Sequence, residues 1–174
     1  MSMEATQFRT LVETHQKMVF SIALRVTGEY GAAEEVAQDV FLELYRGAER
    51  LTSADHVRFW LRRVTVHRAT DALRRKSRQP EAAAEEWMEE QHVENENTRL
   101  DAGIEARLEE LLRALPESMR VAVVLRYQEE MAPDEIAKLL GQPVATVKSH
   151  LQRGLQLLRV KAAVTMKGYV RGQA

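Results

Sequence analysis

The chain has 174 residues, a formal net charge of −1 and a hydrophobic content of 45%, which is enough to bury the core of one medium or two small domains. It contains no cysteine, which excludes disulfides and thiolate metal sites and suits a reducing compartment. No apolar run reaches membrane-spanning length, and the N-terminus lacks the basic-then-apolar pattern of a secretory signal. We therefore expect a cytoplasmic protein without membrane insertion.

Three helices are predicted before the middle of the chain, because apolar residues recur there at spacings of three and four. The first helix carries Phe8 on its apolar stripe, and the second has a stripe that includes Tyr45. The third begins near Asp55, which we expect to be its N-cap, and its basic end stops before Pro80. These helices predict a domain over residues 1–79.

Charge is sorted into blocks along the chain. The segment Arg58–Arg78 is cationic with only Asp71 as an acid, and the segment from Ala145 to the C-terminus has no acid at all. Residues 80–103 are rich in Glu and lack a sustained apolar stripe, which predicts an acidic, flexible linker. Two cationic surfaces favour a polyanionic partner, because local fields govern such contacts more than net charge does. The alternative is a pair of solvated helix faces.

Four further helices are predicted after the linker, in a domain over residues 104–174. The first of them has Ile104 on its inward stripe. Pro116, Pro133 and Pro143 fall at predicted helix boundaries, where a missing N–H costs least. No segment alternates as a strand, so the predicted fold class is all-α, with two small helical domains.

The sequence PDEIAKLLGQPVATVKSHLQRGLQLL predicts a helix-turn-helix, whose second helix enters the DNA major groove. Gly141 can take the positive φ that the tight turn needs. With Val147 and Leu151 facing inward, polar side chains suited to guanine, adenine and phosphate lie on the outer face. The candidate DNA contacts are Thr146, Lys148, Ser149, Gln152 and Arg153. The alternative is an ordinary amphipathic helical hairpin.

The third predicted helix interleaves Phe59 and Trp60 with arginines, a pattern suited to single-stranded nucleic acid. Trp60 also shares an apolar stripe with Leu61, and a core position is the favoured interpretation for it. His67 and Asp71 continue that stripe as polar residues, so they either pair with each other or leave His67 to face a base.

Taken in order, these segments resemble sigma factors of bacterial RNA polymerase, of the extracytoplasmic-function (ECF) class. AAEEVAQDVFLELYR is similar to the family's polymerase-binding helix, and WLRRVTVHRATDALRRKSR resembles the family's WLYRIARNLAIDHLRRRRR. The segment from ALPESMR to GLQLLR resembles the family's promoter-reading C-terminal domain. The resemblance covers about Phe8 to Arg159, and it implies a sigma region 2-like domain followed by a region 4-like helix-turn-helix domain.

The resemblance also implies partners and contact residues. The first domain would bind the clamp helices of the polymerase β′ subunit through Glu34, Glu35, Gln38, Asp39 and Leu42. It would open the minus-ten element of promoter DNA and hold a flipped base, with contacts from Leu51, Thr52, Ser53, Arg63, His67, Arg74 and Arg75. The second domain would sit on the β flap and read the minus-thirty-five element through the outer face of its helix-turn-helix. An anti-sigma factor sequesters some family members, and no cofactor, metal or catalytic residue is implied.

This sequence departs from the family pattern at several positions. His67 stands where the family usually has Asn, and Leu51 lies near a frequent aromatic, so the family's minus-ten base preference does not carry over. Ala132 replaces a commoner Ser at the start of the helix-turn-helix, and Gly154 replaces a common Ala.

Three other functions compete with this one. A stand-alone helix-turn-helix regulator explains the second domain but leaves AEEVAQDVFLEL and the basic aromatic helix unexplained. An enzyme is disfavoured, because no Gly-rich phosphate loop is present and the five His residues lack metal-ligand spacing. A helical adaptor stays open for the first domain.

Overall fold

The computed structural model describes residues 3–78 and 98–171, and for residues 98–102 and 165–171 it describes the backbone alone. Within these ranges the chain forms seven α-helices and no strand, which confirms the predicted all-α fold. The helices are α1 (Ala5–Thr27), α2 (Tyr30–Gly47), α3 (Ala54–Ser77), α4 (Thr98–Arg113), α5 (Glu117–Val123), α6 (Pro133–Leu140) and α7 (Val144–Arg171). Residues 80–97 of the predicted acidic linker lie outside the described residues.

Helices α1, α2 and α3 pack into a first bundle. The larger apolar side chains that are fully buried in this bundle include Val19, Ile22, Val26, Val40, Leu44 and Leu61. Burial of each such side chain stabilises the fold by about 1.5–3 kcal/mol. The predicted inward position of Tyr45 is wrong, because this side chain is 44% exposed. Its ring contacts that of Phe8 edge to face, with the centroids 5.1 Å apart.

The ends of α1 and α3 are fixed by local chemistry. Gly28 follows α1 with a left-handed φ of 76°, and its N–H donates to the Leu24 carbonyl at 2.7 Å. The N-cap of α3 is Ser53, whose hydroxyl accepts from the His56 N–H at 3.1 Å. The prediction that Asp55 is the N-cap was therefore wrong. Asp55 lies in the first turn, where its carboxylate faces the positive end of the helix dipole.

Helices α4 to α7 form a second bundle around Leu112, Leu125, Ile136 and Val147, all of which are buried. The inward stripe of α4 starts later than predicted, since Ile104 is 67% exposed.

The second bundle also contains an irregular segment that the sequence pattern did not indicate. Helix α5 continues into a π turn at Val124–Gln128, in which the Glu129 N–H donates to the Val124 carbonyl at 3.2 Å. Glu130 then takes a φ of 54°, which is unusual for a residue other than glycine. A π turn adds one residue to a helical turn and changes the direction in which the following side chains point.

Helices α6 and α7 form the predicted helix-turn-helix. Gly141 ends α6 with a φ of 64°, and the Gln142 N–H donates to the Ala137 carbonyl at 3.0 Å. Ala132 is the N-cap of α6 and has no side-chain oxygen to offer. Only the reverse half of a capping box forms there, with the Ala132 N–H donating to the Glu135 carboxylate at 3.3 Å.

The two bundles contact each other through α1 with α4 and α5, and through α3 with α6. Arg120 of α5 is buried at this contact, and its guanidinium donates to the carbonyls of Val26 at 2.7 Å, Arg113 at 2.6 Å and Leu115 at 3.1 Å. Carbonyls at helix C-termini have no partner in their own helix and carry partial negative charge. One guanidinium thus caps the ends of α1 and α4 together. Burial lowers the pKa of Arg120, but an arginine side chain remains charged in proteins.

Candidate nucleic-acid interface

The outer face of α7 presents the side chains that the sequence predicted for it. Lys148, Ser149, Gln152 and Arg153 are exposed, while Val147 is fully buried on the opposite side. Thr146 is half-buried in the first turn of the helix. None of these side chains has an ion-pair partner within residues 3–78 and 98–164, so this face is available to a ligand that offers acceptors.

The basic face of α3 is different, because acidic side chains already occupy much of it. We use this name for Arg62, Arg63, Arg68, Arg74, Arg75 and Lys76. Its ion pairs join Arg62 to Glu129, Arg68 to Glu43 and, at a longer distance, to Asp39, Arg74 to Glu117, and Lys76 to Glu29. Arg63 and Arg75 are exposed and have no acidic partner in the described part of the chain. Two of the carboxylates come from the second bundle.

The residues predicted to hold a flipped base do not share one cavity. Leu51 lines a cavity of about 890 Å³ together with the N-terminal part of α1. His67 lines a separate cleft of about 470 Å³ between α3 and the second bundle, with Asp71 and Arg74 from its own helix. Thr52 and Ser53 are exposed in the loop before α3, where the Ser53 hydroxyl is already used as the N-cap. His67 is itself exposed, so a base could contact it at the mouth of this cleft.

The exposed side of α2 combines acidic and apolar side chains. Glu34, Glu35 and Gln38 are exposed, and Leu42 is 53% exposed although it is aliphatic. Asp39 is half-buried, and its carboxylate lies 3.9 Å from the guanidinium of Arg68.

Sequence reasoning missed the two ends of this surface. Tyr30 is 64% exposed, and with Tyr45 it extends the line of Glu34, Gln38 and Leu42 at helical spacing. We call this line the α2 stripe. Helical spacing could have indicated them, because both tyrosines lie in register with the predicted polar contacts as well as with the apolar core.

Two other kinds of feature are absent from the part of the chain that the structure describes. Among the described residues, no three His, Asp or Glu side chains are grouped so as to hold a metal ion. No helix in that part of the chain is both long and apolar enough to cross a membrane.

Comparison with known families assigns both bundles. The family model for sigma-70 region 2 matches residues 11–79, and the model for sigma-70 region 4 matches residues 105–158. The chain belongs to the sigma-70 family. In this sigma-70 protein the first match ends just beyond α3, and the second runs from α4 into α7, so each region corresponds to one bundle.

Individual relatives agree with this assignment. The ECF RNA polymerase sigma factor SigW of Bacillus subtilis is 27% identical over 162 residues, covering 87% of this chain and 87% of SigW. The ECF RNA polymerase sigma factor SigE of Mycolicibacterium smegmatis is 32% identical over 152 residues, covering 86% of this chain, which spans only 59% of that relative's length. The resemblance to ECF sigma factors is thereby confirmed.

A solved structure supports this fold. It contains the sigma factor RpoE of Bartonella quintana, in complex with the anti-sigma factor NepR. The TM-score is 0.72 at 16% identity, and the match covers 92% of this chain and 99% of that chain. At this identity the likeness concerns the fold alone.

Proposed function

We propose that this protein is a cytoplasmic ECF sigma factor, which binds core RNA polymerase and directs initiation at specific promoters. The observation that supports it best is the presence of regions 2 and 4, in that order, each folded as its own helical bundle. A sigma factor needs both because it reads two unlike promoter elements as one subunit. A stand-alone regulator needs only the helix-turn-helix.

The region 4 bundle would read the minus-thirty-five element. The exposed Lys148 and Arg153 can donate to guanine, and Gln152 can make a bidentate contact with adenine. Thr146 lies at the N-terminus of α7, where backbone N–H groups and the helix dipole favour a phosphate. The same bundle would contact the β flap of the polymerase.

The region 2 bundle would bind the polymerase through the α2 stripe. An exposed leucine flanked by acidic and amide side chains suits a partner surface that is both apolar and basic, and here that partner would be the β′ clamp helices. The α3 basic face would hold the minus-ten strand, with Arg63 and Arg75 on phosphates and His67 near the flipped base. A protein inhibitor of the anti-sigma kind is the further partner we propose.

Reconstituted transcription tests this function. Purified core RNA polymerase, this protein and a library of genomic promoter fragments should yield run-off transcripts with defined start sites. The variant Leu42→Lys should lose binding to core polymerase while keeping its helix content, because Leu42 is already exposed. Gln16→Lys adds the same charge to the exposed surface of α1 and serves as the control.

Two results would reject the proposal. One is a protein that fails to bind core polymerase and gives no start-site-specific transcript from any fragment. The other is sequence-specific DNA binding as a dimer that core polymerase does not alter, which would support a stand-alone regulator.

A further inference from the structure

The contact between α5 and α7 is narrow at Gly154, which directly follows Arg153 of the outer face of α7. We propose that Gly154 is a positioning residue for reading of the minus-thirty-five element. Because it has no Cβ, α7 lies close against Val123 of α5, and this close packing aligns the base contacts on the outer face. The packing does not depend on the proposed function, whereas its effect on promoter recognition rests on that function.

Gly154 is buried on the inward side of α7, in line with Val147 and Leu151 at helical spacing. A Cβ atom at this position would lie 3.0 Å from Cγ2 of Val123, which is closer than ordinary van der Waals contact. The next two neighbouring atoms are Met119 Cβ at 3.4 Å and the Met119 carbonyl oxygen at 3.7 Å, both at ordinary contact distances. One methyl group of Val123 therefore determines whether a larger residue fits.

Glycine at this position has an energetic cost, and the close contact accounts for it. Gly154 lies far from either end of α7, which has 28 residues. Glycine inside a helix is less favourable than alanine by roughly fivefold in the folding equilibrium. At Gly103 of α4, by contrast, a Cβ atom would meet no atom within 4 Å. Substitution by alanine should therefore be favourable at Gly103 and opposed by steric overlap at Gly154.

Val123 has little freedom to give way to a larger residue at position 154. Its side chain is β-branched, which restricts χ1 in a helix, and it is only 6% exposed. Every residue from Val121 to Leu125 is buried, so α5 is enclosed on all sides. Helix α7 instead has solvent on its other sides, where Gln152 and Arg153 are exposed. An added methyl group should therefore push α7 outward by roughly a few tenths of an ångström.

This displacement should affect the base contacts unequally. Helix α7 packs against α6, and Val147 near its start is fully buried. With Val147 held in the core, an outward push at Gly154 tilts the helix about its start. At the rise of an α-helix, Arg153 lies about 9 Å along α7 from Val147, whereas Lys148 lies only about 1.5 Å from it. The tilt should therefore move Arg153 several times further than Lys148.

Unfolding measurements test the packing without DNA. Gly154→Ala is compared with its matched control Gly103→Ala by urea unfolding followed by circular dichroism. Gly103→Ala should raise the folding equilibrium constant roughly fivefold, whereas Gly154→Ala should raise it much less or lower it. In a Val123→Ala background the two glycine substitutions should have equal effects, because removal of Cγ2 leaves space for the new methyl group.

Promoter binding tests the positioning role. Holoenzyme is assembled from core polymerase and the full chain on a promoter fragment that gives run-off transcripts. Gly154→Ala should weaken binding about threefold to tenfold, as expected for partial loss of one base contact, and Gly103→Ala should change it by less than about twofold. Addition of Val123→Ala to Gly154→Ala should restore the affinity of Val123→Ala alone. A general loss of stability would not be reversed by a second substitution that leaves a cavity in the core.

A mutant cycle locates the effect along α7. Gly154→Ala is combined with Arg153→Ala and, separately, with Lys148→Ala. The loss of affinity caused by Gly154→Ala should shrink when Arg153 is already absent, because the contact that it disturbs is gone. The same loss should add fully to that of Lys148→Ala. This cycle stands even if Val123→Ala prevents folding, since none of its variants alters α5.

Three results would overturn the positioning role of Gly154. These are equal stability gains for Gly154→Ala and Gly103→Ala in the parent protein, unchanged promoter affinity in folded Gly154→Ala, or a loss that adds fully to both Arg153→Ala and Lys148→Ala. Failure of the proposed function is separate. The parent protein would then give no run-off transcripts with core polymerase, while the unfolding comparison of the two glycine substitutions would still show the close contact.

Discussion

The outer face of α7 and the basic face of α3 look alike in the sequence, yet the structure treats them differently. Lys148 and Arg153 of α7 extend into solvent without acidic partners in the described residues. Arg62 and Arg74 of α3 are held by carboxylates from the other bundle. Cationic charge in a sequence therefore predicts the chemistry of a surface, whereas its availability depends on what the tertiary fold places opposite.

The first prediction concerns Arg120, which joins the two bundles but does not belong to the α3 basic face. Arg120→Leu leaves the carbonyls of Val26, Arg113 and Leu115 without their donor in a buried place. The free energy of unfolding should fall by about 3 kcal/mol, because unsatisfied buried polar groups are costly. Urea unfolding followed by circular dichroism measures it. The control is Arg159→Leu at an exposed position of α7, and a loss below about 1 kcal/mol would contradict the capping role.

The second prediction tests the open face directly. Lys148→Ala and Arg153→Ala should each weaken binding of the holoenzyme to its minus-thirty-five element by about tenfold to a hundredfold, since one good base contact contributes about 1–3 kcal/mol. Both side chains are exposed, so thermal stability should not change. Competition binding on matched and scrambled duplexes provides the measurement. Lys138→Ala, an exposed lysine of α6, is the control, and equal losses for all three variants would argue against base reading.

The third prediction concerns the helix that supports the open face. Ala132→Ser supplies the missing side-chain oxygen at the N-cap of α6, where the backbone is already extended at φ −69° and ψ 152°. The region 4 bundle should gain about 0.5–1 kcal/mol, because Ser can complete the capping box with Glu135. Thermal unfolding should show a higher midpoint, and Ala163→Ser at an exposed helix position should not. A lower midpoint for Ala132→Ser would contradict it.

The fourth prediction is a small pH dependence of the free energy of unfolding, which arises from His15 of α1 next to α3. Burial lowers the pKa of His15, and the guanidinium groups of Arg58 and Arg62 lower it further. Below a pH of about 6.5, His15 is protonated in the unfolded chain but stays neutral in the folded chain. The free energy of unfolding therefore falls as the pH falls through this region. The loss ends once the pH is below the folded pKa. Urea titrations at several pH values should show a steeper loss in the parent protein than in His15→Gln, and identical slopes would contradict the prediction.

Local pattern was enough for most of the fold and for the α7 face. The turn at Gly141, the burial of Val147 and the exposure of Gln152 follow from helical spacing within a few residues, so the sequence predicts them. The N-cap of α3 was placed two residues late, because Ser53 and Asp55 are both good caps and only backbone geometry distinguishes them.

Other features depend on residues that are far apart in the sequence. Arg62 and Glu129 are separated by 67 positions, and no local rule pairs them. The π turn at Val124–Gln128 has the composition of an ordinary helix, and helical spacing alone does not give the exposure of Tyr45. The same reason applies to His67: its sequence position marked it as a base contact, but one side of the cleft around it is formed by the other bundle.

The guanidinium of Arg120 makes the end of α1 a reporter of bundle separation. Arg120 and the end of α4 belong to one bundle, whereas Val26 belongs to the other, so parting of the bundles exposes the Val26 carbonyl to water. The last turn of α1, closed by the Gly28 amide, should then fray. Deuterium uptake at the Gly28 amide would then rise as the bundles separate, while amides at the centre of α1 stay protected. Exchange at this one backbone position would therefore measure how often the two regions separate.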